Sequence, residues 1–487
     1  MTMESINVTD ATASTDLRKN AIGWVSLFFL IIATNGPMTA MAGGVPVAIF
    51  LGNGIGLPGS YIVVAMTYII FAAGFTAMSR YVRNSGAFYA YIGLGLGATP
   101  GISAAGMAIF AYNGMLLACY AMIGFFISVG VTSVFHVDLP WWIYASGCAL
   151  LVHWLCVRGI EFSGKVLLML LAFELGAVLL ADVLVLVRGS HGGGGYDFGS
   201  FNLSNVFSNG FGPSLVFVVA SYMGFETAAV YSAEVRDPQR SVPLAMNTSI
   251  VFIGLIYAVS ISIMMNYYGL GQVVERASAD PGSMWFAMFG ELAGGVAGHV
   301  AGIFMITSLF AAILSFTNVL TRYWHALAKT GVVPQALERT HQKHQSPHVA
   351  SAAQLWMVVV LIGLCALFKL DPMVQVLSWA STPAAIGVVA VQFMTGLAII
   401  KFFQKTPSGF SRVRTQFLPA VATGLLLFLL YQMIVHIDLL VGSDGPGAYL
   451  LAASVLVVGG FAAIYAGYIR RSQPQRYKAL SAAIEVS

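Results

Sequence analysis

The chain has 487 residues, of which 58% are hydrophobic and only 9% charged, against roughly 25% charged in soluble domains. Such a composition excludes a soluble globular enzyme and marks an integral membrane protein. The formal net charge is +4, so the placement of the basic residues is more informative than their sum.

The first 20 residues are polar. The apolar stretch after them is about twice the roughly 7 to 15 residues of a signal-peptide core, so the N-terminus is expected to be retained. From there the chain carries twelve runs near the ~20 apolar residues that cross a bilayer. They lie at about 22–50, 59–79, 101–132, 140–157, 164–187, 211–234, 243–268, 294–321, 349–368, 373–400, 416–437 and 447–469, and are numbered here as spans 1 to 12. An even number puts both termini on one side. Of the 23 lysines and arginines, only Arg188, Arg276 and Lys369 then fall in the loops opposite the termini. The positive-inside rule predicts that both termini are cytoplasmic, in a plasma membrane, for a bacterial cell the inner one. The basic residues are thereby accounted for, and no nucleic-acid partner is needed. All four cysteines, Cys119, Cys148, Cys156 and Cys365, sit inside apolar runs, where they act as small hydrophobes and form no disulfide framework.

Span 1 reads IGWVSLFFLIIATNGPMTAMAGGVPVAIF, with Asn35-Gly36-Pro37 in its middle. Gly36 lies 14 residues past Ile22, or ~21 Å along a helix, near the centre of a ~30 Å hydrocarbon core. One half-helix is expected to stop here and another to begin at Pro37, whose missing N–H costs nothing at a first helical position. The amides of Met38 and Thr39 are then free donors at the positive end of a helix dipole, a place suited to a carboxylate. A plain proline kink is the alternative for this stretch taken alone.

Span 6 contains SYMGFETAAVYSAEVRDP, residues 221 to 238. Its Gly224 is twelve residues before Arg236, hence ~18 Å deep. Spans 1 and 6 are corresponding members of two five-helix halves and run in opposite directions. Interruptions at matching places in two halves are the best sequence pointer to a transporter binding site. The expected substrate contacts are therefore Asn35, Gly36, Pro37, Met38 and Thr39 on span 1, and Ser221, Tyr222, Met223, Gly224 and Phe225 on span 6.

Two stretches, GFETAAVYSAEVRDPQRSVPLA (224 to 245) and TRYWHALAKTGVVPQALERTHQKHQSPHVA (321 to 350), resemble the amino acid–polyamine–organocation permeases. The first is similar to that family's helix 6, with Gly-x-Glu at the break followed by a turn carrying Glu234, Asp237, Pro238, Arg240 and Pro243. The second is similar to the end of helix 8, with Arg322, Ala328, Gly331, Pro334 and Pro347. The resemblance covers nearly the whole chain. It implies an all-α membrane protein of twelve transmembrane helices with a leucine-transporter-like 5+5 inverted repeat. Residues 21–200 and 201–405 would be the two repeats, 406–470 the two peripheral helices, and 1–20 and 471–487 cytoplasmic tails. It also implies a secondary active transporter, with a substrate carboxylate on the helix 1 amides and a substrate amine on the helix 6 carbonyls. An amino acid or related small amine would be the cargo, a polyamine or organic-amine importer or an amino acid exchanger being the alternatives. At helix 1 the chain departs from the family, because Asn35-Gly36-Pro37-Met38-Thr39 replaces the usual Gly-Ser-Gly-like run. No cofactor is implied.

Among the remaining polar residues, intramembrane carboxylates weigh most, since each costs at least ~2.5 to 3.5 kcal/mol at the bilayer centre unless paired or functional. Glu226 follows the span 6 break and can take up a coupling proton. Glu174 falls where many members of the family carry a lysine whose ammonium replaces a sodium ion. An acid cannot imitate a cation, so Glu174 must bind one or carry a proton itself, and its depth favours the proton over sodium. Asp182, near the outer end of span 5, is expected to reach the interface. Tyr112 and Asn113 on span 3, with Trp379 and Thr382 on span 10, are placed along the substrate path. Ser315 and Asn318 on span 8 are expected to face the span 1 break and to share in ion coupling. GLGLGATPG at 93 to 101 has no strand before it, so helix packing is expected there and not a phosphate loop. No filter-like sequence suggests a channel, and no His-Glu-x-x-His or paired-aspartate motif suggests an intramembrane enzyme.

Overall fold

A computed structural model describes residues 17, 19–82, 86–189, 195–438 and 446–486. Arg18 and Arg83, and most of the expected N-terminal tail, lie outside the described residues. Those described form a helical bundle, the architecture that lets an apolar chain satisfy every backbone group within its own segment in lipid. Eleven helical segments among them are long and apolar enough to cross a membrane. They coincide with the expected spans: Trp24–Leu51, Gly54–Met78, Ala98–Phe135, Gly164–Arg188, Phe211–Ala233, Pro238–Tyr268, Gly295–Lys329, His348–Leu367, Pro372–Lys405, Val413–Val435 and Gly447–Ser472. The expected span 4 appears as the shorter apolar helix Trp141–Val157 of 17 residues, ~26 Å long at ~1.5 Å per residue.

Some boundaries differ from the sequence-based expectation. The helix of span 5 starts at Ile160, so Ser163-Gly164-Lys165 lies within its first turns and is not the turn before it. Short helices Ala87–Leu96 and Met284–Ala293 precede spans 3 and 8, each separated from the long helix by a single glycine, Gly97 or Gly294. The segment 93–101 serves helix packing, as expected: Gly95 lies against the Ala398 backbone and Gly101 against Gly93. At the start of span 10, Asp371 caps the helix by accepting the amides of Met373 and Val374 at 2.9 and 2.6 Å.

Span 5 shows how the pattern decides what faces inward. Leu167, Leu171, Glu174, Val178, Ala181 and Val185 are buried, while Leu168, Met169, Phe173, Leu179, Leu180 and Val183 are exposed. The buried set repeats every three or four residues, the spacing of one helix face, and Glu174 lies on it. Asp182 also turns inward. It is 9% exposed and accepts from Ser260 of span 7 at 2.5 Å, which corrects the expectation that it reaches the interface. A buried carboxylate on a neighbouring hydroxyl avoids the cost of facing hydrocarbon.

Spans 1 and 5 pack against each other and against spans 7 and 8, while spans 3, 10 and 12 pack against one another. On the face bearing Arg80, Arg158 and Lys329, called here the basic face, the chain before span 1 is tied to the end of span 6. Ile22 and Val235 form a short parallel bridge. The Ala21 amide donates to the Glu234 carbonyl at 2.8 Å, and the Arg236 amide to the Ile22 carbonyl at 2.9 Å.

Candidate functional site

The first helix of span 1, Trp24–Asn35, ends because Gly36 turns left-handed, with φ 54° and ψ 74°. Pro37 then starts the second half-helix, which opens with a π-helical stretch at Thr39–Gly44. The break is thus one residue wide. The Thr39 amide is not left free. It donates to Ser308 Oγ of span 8 at 3.1 Å, and Thr39 Oγ1 lies 3.0 Å from the same oxygen. The Met38 amide and Ser308 face the carboxylate of Glu174. The fully buried Glu174 closes no hydrogen bond with either oxygen among the described residues. The positive end of the half-helix is therefore addressed by a carboxylate of the protein itself, an arrangement the dipole favours.

In span 6 the helix Phe211–Tyr222 ends at Met223, whose backbone is extended at φ −57° and ψ 126°. Gly224 follows at φ 115°, and helix resumes at Thr227–Val230. The two breaks touch, since a Cβ built on Gly224 would lie 2.6 Å from Thr34 Cγ2. Thr34 Oγ1 in turn is 2.5 Å from Ser315 Oγ. Ser221 Oγ pairs with Tyr61 at 2.9 Å, and the Tyr222 hydroxyl donates to the Tyr61 carbonyl at 2.9 Å. Phe225 is buried against Tyr68.

Beside the breaks lies a cavity of about 100 Å³, lined by Asn35, Thr39, Met122, Ser221, Phe316 and Ser381 among others. The Asn35 amide nitrogen donates to the Ile31 carbonyl at 2.6 Å, while its Oδ1 has no partner among the described residues. On the basic-face side of the break, Glu226 is fully buried. Its carboxylate accepts from the Tyr112 hydroxyl and from the Gly224 amide, the latter at 3.2 Å. Near it the hydroxyls of Tyr68 and Tyr323 and both polar atoms of the Gln392 amide, and beyond Tyr323 the Tyr89 hydroxyl, are buried without a hydrogen-bond partner among the described residues. Each such group costs ~1–3 kcal/mol if left dry, so this concentration of them marks a polar core within an apolar bundle.

Closer to the basic face, Arg322 and Glu234 form a fully buried ion pair, bidentate through the Arg322 Nε and the second guanidinium nitrogen. Arg322 also donates to the Asn318 carbonyl and Oδ1 at 3.0 and 3.1 Å, and it stacks on Tyr231. Asn318 thus belongs to this ion pair, and its side chain is committed there.

The structure brings together at the breaks Asn35 to Thr39, Ser221 to Phe225, Glu174, Glu226, Tyr112 and Ser315. It sets Asn113 and Trp379 apart. Asn113 Oδ1 accepts from Gln354 of span 9 at 2.7 Å, and both Asn113 and Trp379 line a separate apolar cavity of about 650 Å³ between spans 3, 8, 9, 10 and 12. Thr382 is buried next to Ser381, which does line the small cavity. Sequence inspection missed Ser308 and Thr34. Ser308 was within reach, since it stands seven residues before Ser315, two turns away on the same helix face. Thr34 offered no comparable signal, because its role depends on Gly224 meeting it across the bundle.

The broken helices and the buried acid behind the second break are the features a family assignment must explain. A model of the amino acid permease family matches residues 22–461. The chain belongs to that family. It is therefore a multi-pass membrane transporter and not an enzyme. Among curated proteins it is 24% identical to the L-asparagine permease of Salmonella typhimurium over 464 residues, 87% of this chain and 86% of that protein. It is 24% identical to cationic amino acid transporter 6 of Arabidopsis thaliana over 309 residues, 61% of this chain and 48% of the relative. With the branched-chain amino acid permease BcaP of Bacillus subtilis it shares 25% identity over 228 residues, 44% of each chain.

Proposed function

We propose that this permease imports an amino acid or a related small zwitterionic amine by alternating access, driven by protons, with its basic face in the cytoplasm of a bacterial inner membrane. The observation that carries the proton coupling is the pair of fully buried carboxylates at the two breaks, Glu174 facing the Met38 amide and Glu226 held by Tyr112 and Gly224. A carboxylate taken out of water must gain a proton or a cation to be tolerated. Each acid adjoins a break whose neighbouring residues, Thr39 on span 1 and Ser221 on span 6, line the small cavity. The named cargoes of the relatives, asparagine, cationic and branched-chain amino acids, support an amino acid as substrate.

Two experiments test this. Protein in liposomes is expected to take up radiolabelled amino acids and to accumulate them when the outside is more acidic. Transport of pure cations with amino acids ignored overturns the zwitterion and favours the organic-amine alternative, which draws support from the commitment of the Thr39 amide to Ser308. The Glu174→Gln variant, which imitates the protonated acid, is expected to keep binding and exchange while losing accumulation driven by a pH gradient. Continued accumulation by that variant removes Glu174 from the coupling step, and a sodium requirement in the wild type overturns the proton.

A further inference from the structure

Below Glu226, toward the basic face, stands a file of buried phenols. Tyr112, whose hydroxyl donates to the Glu226 carboxylate, has its ring 6.4 Å from that of Tyr323, and the Tyr323 ring is 5.7 Å from that of Tyr89. The three side chains come from span 3, span 8 and the helix Ala87–Leu96, and none is more than 1% exposed. The hydroxyls of Tyr323 and Tyr89 have no hydrogen-bond partner among the described residues. Tyr89 faces the hydroxyl of Thr330 without closing a bond to it, and Thr330 is half-buried where span 8 ends on the basic face.

Packing alone places phenylalanine in such positions as well as tyrosine, and without the buried hydroxyls. Buried hydroxyls lacking a protein partner are ordinarily met by internal water, which bonds about three polar groups. A file of phenols alternating with water is a hydrogen-bonded chain. The direct way from the cavity to the same face is shut by the Arg322–Glu234 pair and the Thr34–Ser315 contact. The chain of hydroxyls lies beside that gate and does not need it to open.

From this geometry we infer that Glu226 exchanges its proton with the cytoplasm through a hydrated file of Tyr112, Tyr323, Tyr89 and Thr330, separate from the path the substrate takes. The inference rests on the proton-coupled reading above. In the step, Glu226 passes its proton to the Tyr112 oxygen as the Tyr112 proton moves to the next water. Each oxygen along the file likewise accepts one proton and gives up another, so one proton leaves at Thr330, Glu226 is left as a carboxylate, and no heavy-atom bond changes. The titratable groups facing Glu226 are Tyr68 from span 2, Tyr112 from span 3 and Tyr323 from span 8. Two cations adjoin the file in sequence: Arg322, next to Tyr323, is held by Glu234, and Lys329, next to Thr330, is exposed at the end of span 8.

The test uses Tyr323→Phe, Tyr89→Phe and the double variant in liposomes, with a lumenal pH dye and labelled substrate. Each substitution removes one unpartnered hydroxyl and keeps the ring, so binding affinity and substrate–substrate exchange at equal pH are expected at wild-type values. Substrate-driven proton entry and net accumulation are expected to fall at least tenfold in the double variant, and each single variant to fall between. Unchanged proton entry in all three overturns the file while leaving proton coupling intact. A wild type that moves no protons with its substrate overturns the coupling reading and, with it, the file. Loss of exchange and proton entry together means the hydroxyls serve packing, and also overturns it.

Discussion

Substitution Gly224→Val is expected to abolish substrate binding while the protein still reaches the membrane folded. Two causes add. At φ 115° a β-branched residue is strained by more than a glycine ever is. Its Cβ would also meet Thr34 Cγ2 at 2.6 Å, so it forces the two breaks apart. The Gly224 amide that holds Glu226 would move with them. Gly36→Val is expected to follow, less severely, because the Cβ there meets Thr39 at 3.1 Å and Ser308 at 3.4 Å, although φ 54° is again left-handed. Titrating purified variants with substrate by thermal shift or scintillation proximity checks both. Wild-type affinity in Gly224→Val would reduce the break to a kink with no part in recognition.

The second large effect is expected at the gate. Glu234→Gln leaves the Arg322 guanidinium buried without its counter-charge, a loss of about 3–5 kcal/mol for a buried pair. Because ~1.4 kcal/mol is a factor of ten, the closed arrangement of the basic face should lose roughly a hundredfold or more in population relative to the open one. With the four native cysteines replaced, a cysteine introduced at Ser315 is expected to react with a membrane-impermeant thiol reagent from the basic face much faster in Glu234→Gln than in the parent. The double variant Glu234→Gln with Arg322→Met, which removes both charges, should regain much of the protection. Equal labelling rates in parent and Glu234→Gln would show that the pair does not hold the gate.

The spans and both breaks are legible in the sequence for simple reasons. Long apolar runs have one stable form in lipid, and Gly-Pro or Gly-x-Glu in mid-span interrupts a helix wherever the bundle later places it. Glu174 is legible as an inward residue from the spacing of its neighbours on span 5. What the sequence could not disclose depends on which side chains meet. Tyr112 and Asn113 are adjacent, and successive residues on a helix point about 100° apart, so only one can face the cavity floor. Tyr112 does, on Glu226, while Asn113 reaches Gln354. The commitment of the Thr39 amide to Ser308 joins residues 269 positions apart, a pairing no local pattern encodes. Asn318 looked like a coupling residue because it lies near Ser315, but its carbonyl and amide are fixed by Arg322 one turn on.

The short bridge between Ile22 and Val235 has a mechanical consequence. Backbone hydrogen bonds fasten the start of span 1 to the end of span 6 on the basic face, so these two pieces are expected to move as one yoke, with the breaks at Gly36 and Gly224 as its hinges. The yoke is held to span 8 where Glu234 grips Arg322 and where Thr34 meets Ser315. Releasing these contacts is expected to swing both half-helices together, so that the basic-face ends of both breaks are uncovered in one stroke and not in sequence.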